Sequence, residues 1–202
     1  MKVLVDTDAF CKLGLAGLLT DAMASLGAQL TDCERLPALP HMLRRGSVPK
    51  RFGKENCESL IEIADAIPPL QVSTSRWLDL FLPVPGIDPG EAQLFSVAAD
   101  QKLLVLSGDK RALRALGKVE GAAQALSGLV VTLEAALIAL HGSIGADDLR
   151  SRVSPLRPLD TTVGVCFSDS NADPLSALWS YYRSLASEVV PLSLWQPPSS
   201  TT

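Results

Sequence analysis

"IDPGEAQLFSVAADQKLLVLSGDKRAL", residues 87–113, decides how the chain folds. Asp88, Pro89 and Glu91 stand at the N-cap, first and third positions of a helix, a capping-box arrangement that starts a helical run to Asp100. Leu103 to Leu106 then forms an apolar strand that runs into Asp109, where a second helical pattern, Lys110 to Leu116, begins. A strand apolar on both faces and flanked by helices belongs to a parallel sheet covered on both sides. The N-terminus repeats the device: "MKVLVDTDAF", residues 1–10, is a short apolar strand, Val3 to Val5, ending in Asp6.

Outward from these two anchors, helical spacing marks Phe10 to Leu19, Lys54 to Ile67 and Pro174 to Val190. "ERLPAL" at 34–39 and "GLVVTL" at 128–133 read as strands, "LQV" at 70–72 as a weaker one, and "TTVGVCF" at 161–167 as strand-like. Gly121 to Ala146 reads as a buried strand followed by a helix. Strands alternating with helices predict right-handed crossovers and a three-layer α/β/α fold with a central parallel, Rossmann-like sheet. Prolines punctuate the chain beyond about residue 144, so the expected organisation is a domain over 1–143 and a strand and helix extension over 144–202 that packs on it. The tail from 196 is expected to be disordered.

The 202 residues, 47% hydrophobic and 20% charged, describe an ordinary globular protein. The run after Lys2 is too short for a secretory signal and no segment is suited to span a bilayer, so the expected location is the cytoplasm. Cys11, Cys33, Cys57 and Cys166 form no C-x-x-C pair and read as small buried thiols. With only His41 and His141 present, Ser-His-Asp chemistry and His-rich metal sites are poorly supported. The acids must carry any chemistry.

In a parallel sheet ligands bind beyond the C-terminal strand ends, where Asp6 and Asp109 stand. Glu91 shares a helix face with Phe95 and Ala98, which directs it to the same cleft. Each acid, Asp8 included, also suits a helix cap, which needs no ligand. Taken together at one sheet edge, carboxylates without histidine or thiolate suit Mg²⁺ or Mn²⁺, which prefer oxygen ligands.

"VLVDTDAF", "DPGEAQLFSVAA" and "LLVLSGDKRAL" together, in this order, resemble the PIN-domain nucleases over roughly residues 1–140. The resemblance implies a Mg²⁺- or Mn²⁺-dependent ribonuclease whose acidic positions match Asp6, Glu91 and Asp109, with Asp8 adding a ligand or orienting Asp6. It also leaves room for a homodimer or a small protein partner. The family usually carries one more acid on the helix after the second strand, where "PHMLRRG" has Arg44 and Arg45; Asp79 is the available substitute. Two alternatives follow: a degenerate relative that binds RNA or a partner without cutting, and a haloacid-dehalogenase-like phosphatase using Asp6 and Asp8 of "DTDAF".

The net charge of −4 argues against a protein coated with positive potential, yet local basic patches on an acidic body can still track a phosphate backbone. Residues 44–54 and 102–118 hold +5 and +4, leaving −13 for the rest of a chain whose net charge is −4. Arg44, Arg45, Lys50, Arg51, Lys54, Lys110 and Arg111 are therefore the expected phosphate contacts. Taken alone, each patch also reads as a solvated loop or helix face.

Overall fold

The computed structural model describes residues 2–71 and 74–198. Four strands, β1 (Val3–Val5), β2 (Cys33–Arg35), β3 (Leu104–Ser107) and β4 (Val130–Thr132), form one all-parallel sheet in the order β2-β1-β3-β4. Val3 pairs with both Cys33 and Leu104, and Val105 with Val130. Every residue of β1, β3 and β4 is buried, because helices flank the sheet on both faces, as the apolar runs predict. The α/β/α architecture is that expected from the sequence.

The strand order places a topological switch between β1 and β3. The chain leaves β1 for β2 on one side and returns to the other side of β1 as β3. Crossovers diverging from adjacent strands leave a crevice at their C-terminal ends. Asp6 and Asp109 lie on its two lips.

Both sheet edges are covered. Beside β2, Arg35 donates to Pro68 O at 3.1 Å and Leu70 donates to Arg35 O at 2.8 Å, a parallel bridge centred on Pro69. This bridge stands where a weak strand was expected at 70–72; Val72 lies outside the described residues. Beside β4, Gly128 donates to Ser193 O and Trp195 to Val130 O, each at 2.8 Å. Tyr182 Oη holds the same segment through Trp195 O at 3.0 Å. Of the tail expected to be disordered from 196, residues 199–202 lie outside the described residues.

Residues 161–166, expected as a strand, form a helix, Thr161–Cys166. Asp160 accepts from Val163 N at 3.0 Å, and this cap outweighs the β-branched composition. The helix Pro174–Glu188 buries Leu178, Tyr182 and Leu185 and packs against the helix Leu133–Ile144. All four cysteines are free and buried, and burial pushes the thiols of Cys11 and Cys33 up to about 12. Among the described residues no helix is long and apolar enough to cross a membrane.

Candidate functional site

A cleft of about 670 Å³ opens at the switch point. Asp6, Asp8, Asp88, Glu91, Asp109 and Asp160 all line it, so the four acids singled out in the sequence meet in one place and two more join them. Asp6 ends β1 and caps the helix Thr7–Leu15 through Thr7 N at 2.7 Å. Asp109 follows β3 and caps the helix Lys110–Leu116, with Oδ1 accepting from Arg111 N at 2.8 Å and Ala112 N at 3.1 Å. Glu91 belongs to the capping box of the helix Pro89–Gln101: its Oε2 accepts from Asp88 N at 2.7 Å, and Asp88 Oδ1 accepts from Glu91 N at 2.9 Å. Capping and convergence on the cleft are therefore the same geometry.

The acids differ sharply in what balances them. Asp8 Oδ2 lies 2.6 Å from Lys12 Nζ, and Asp8 Oδ1 lies 2.8 Å from Arg51 Nη1. The Arg51 contact is an ion pair without hydrogen-bond geometry, since Oδ1 is buried and accepts no hydrogen bond. Lys12, itself only 3% exposed, reaches Asp160 Oδ2 at 2.6 Å as well. Burial works against the Lys12 charge, yet Asp8 and Asp160 outweigh it and raise its pKa; Lys12 in turn outweighs the burial of Asp160 and lowers the carboxyl's. Gly108 lies against this pair: a Cβ there would meet Asp8 Oδ2 at 2.8 Å, so a side chain at this position would displace the Asp8 carboxylate.

Asp6 and Glu91 have no such partner. Both are buried, 6% and 4% exposed, and neither joins an ion pair among the described residues. Burial, reinforced by Asp8, pushes Asp6 up to about 7. Burial, reinforced by Asp88, Asp109 and Asp6 against the pull of the Asp88 N–H, pushes Glu91 up to about 8. Buried carboxylates that repel each other without a counter-charge favour either a proton or a cation. Among the described residues no three His, Cys, Asp or Glu side chains converge as a ready-made ion site. The donor chemistry, oxygen only, fits a hard divalent cation.

The expected phosphate contacts divide into groups. Arg51 and Arg111 line the cleft, Arg111 lying 3.5 Å from Asp109 Oδ2. Lys110 also lines it but turns inward, to Glu134 Oε1 at 2.7 Å and Thr162 Oγ1 at 2.7 Å, with its ammonium 5.5 Å from the Tyr181 ring centre. Arg44, Arg45, Lys50 and Lys54 are exposed; Arg44 pairs loosely with Asp65 at 3.5 Å and Lys54 with Glu58 at 3.8 Å. None of these four lines the cleft.

Asp79, the suggested substitute acid, is exposed on the helix Arg76–Phe81 and does not line the cleft. The additional carboxylates come from Asp88 and Asp160. Asp88 was visible as a cap. Asp160 and Lys12 were missed, although Lys12 stands four residues after Asp8, the spacing of a helical ion pair. Comparison with protein-family models, with curated proteins and with solved structures returned no match.

Proposed function

We propose that the chain is a metal-dependent nuclease acting on RNA, with Asp6 and Glu91 holding Mg²⁺ or Mn²⁺ and Asp109 completing the ligand set. The observation that carries this reading is the buried, cation-free pair Asp6 and Glu91, at a switch-point cleft whose rim carries Arg51 and Arg111. A bound divalent ion supplies Lewis acidity, neutralising charge at a phosphodiester and acidifying a water. The chain's own residues do the remainder. Arg51 and Arg111 draw the phosphate to the cleft, the helix caps fix the carboxylates, and Asp8, held by Lys12, orients the β1 end beside Asp6. The order of the three PIN-like motifs supports the same reading, and four free thiols suit a reducing, cytoplasmic compartment.

Glu91→Gln tests it. Glutamine still accepts from Asp88 N, so the capping box persists, but a neutral amide is a poor ligand for a divalent ion. The variant is expected to melt with the wild type while Mn²⁺-dependent cleavage of single-stranded RNA falls by at least about a hundredfold, the scale of losing a transition-state charge stabiliser. Full activity in Glu91→Gln contradicts the proposal. One observation favours the second reading, binding without cleavage: the Lys12 ammonium already fills the acidic space between Asp8 and Asp160. Wild-type protein that binds RNA but never cuts it, with any divalent ion, establishes that alternative.

A further inference from the structure

Beside the acidic cleft lies a second cavity of about 540 Å³ that the proposed chemistry does not use. Asp6, Thr7 and Asp88 belong to the walls of both, so the two cavities adjoin. Apart from Gln93, the rest of its wall is apolar: Leu36, Pro37, Ala38 and Met42 with Pro89 and Gly90 from the first turn of the helix Pro89–Gln101. A Cβ at Gly90 would meet Leu36 Cδ1 at 2.7 Å, which ties this wall to the absence of a side chain.

The cavity is held in shape. Buried Arg35 donates Nε to Ala64 O at 2.6 Å and Nη1 to Leu36 O at 3.1 Å, which fixes the turn after β2. A preformed slot spares a ligand the cost of ordering it. Two polar groups at its edge are uncommitted among the described residues: the Gln93 carboxamide, and Asp88 Oδ2, whose sister oxygen is taken by Glu91 N.

We infer that this cavity is a nucleobase subsite, taking one unpaired base of the strand whose adjoining phosphate lies in the acidic cleft, and preferring a base with an exocyclic amino group. The inference rests on the RNA reading for the presence of that strand. Apolar walls suit the π-face of any base. Selectivity comes from Asp88, which only accepts, and Gln93, which does both. Adenine and cytosine present an amino group to Asp88, whereas uracil presents a carbonyl oxygen that the carboxylate repels.

The test is fluorescence anisotropy with labelled single-stranded oligo(A), oligo(C) and oligo(U) pentanucleotides in Ca²⁺ buffer, with RNA integrity checked on gels. Oligo(A) and oligo(C) are expected to bind about tenfold more tightly than oligo(U), the discrimination of one base-edge hydrogen-bonding set. Ala38→Trp fills the cavity from an exposed position and touches none of the acids, so it is expected to erase the preference; Gln93→Ala is expected to narrow it. Equal binding of the three by the wild type, no binding of any, or a preference unchanged in both variants overturns the subsite. Retained preference without Mn²⁺-dependent cleavage removes the nuclease reading and leaves the subsite, whereas cleavage without preference does the reverse.

Discussion

In one part of the cleft Asp8 and Asp160 share the Lys12 ammonium, and Lys110 on its wall is taken by Glu134; in the other, Asp6 and Glu91 accept only from backbone N–H groups. The residue type is the same, the unpaired acids are more deeply buried than Asp8 and Asp160, and the consequences are opposite. Where a cation is built in, the carboxylates hold structure together: Lys12, from the helix after β1, ties down Asp160 some 148 positions away and so fastens the C-terminal segment over the cleft. Where no cation is built in, folding has buried two carboxyl groups without a counter-charge. Proteins tolerate such a cost at sites that bind or react.

The contrast is most forcefully broken at Lys12. Lys12→Met removes the counter-charge of two largely buried carboxylates, and urea unfolding is expected to show a loss of about 3–5 kcal/mol, the cost of orphaning a buried ion pair. A loss below about 1 kcal/mol would mean that the paired half is not structural, and the division drawn between the halves would fall.

A second effect, read along the pH axis, is expected from the unpaired carboxyls. The carboxyls of Asp6 and Glu91 start from ordinary values of 3.8 and 4.5 and are raised on folding to about 7 and about 8. A raised carboxyl makes the folded state bind the extra proton, so its stabilising share is full below about pH 4, declines as pH rises, and is gone above about pH 8. Stability in EDTA is therefore expected to fall between those limits. Saturating Mn²⁺ should flatten the decline, and Glu91→Gln should remove the part that extends highest in pH. An EDTA profile that rises from pH 5 to 8 would contradict the assignment.

Much of this architecture was legible because local signals agreed. Val3–Val5 and the run before Asp109 read as doubly buried strands, and the spacing of Asp88, Pro89 and Glu91 announced a helix start. The site was legible to the extent that strand ends and caps converge in a parallel sheet, which brought Asp6, Asp8, Glu91 and Asp109 to one cleft. The pairing within it was not legible. Asp160 reaches the cleft from a segment whose β-branched composition suggests a strand, and no periodic pattern links it to Lys12. Lys110 read as a phosphate contact because local sequence does not reveal that Glu134, at the start of a helix after β4, stands within 2.7 Å of it. Side-chain partnership across the fold depends on tertiary packing, and only the i, i+4 pair of Asp8 and Lys12 left a trace along the chain.

The central claim, that the unpaired half of the cleft is kept for a divalent cation, is tested most directly by calorimetric titration of the metal-free protein with Mn²⁺ at pH 7. Running it in two buffers of different ionisation enthalpy counts the protons displaced. Asp6 and Glu91, raised to about 7 and about 8, are then half or more protonated, so binding is predicted to release on the order of one proton per ion. Glu91→Gln is predicted to lose most of both the heat and the proton release. Absence of saturable Mn²⁺ binding, or binding that releases no protons and is indifferent to Glu91→Gln, would contradict the account.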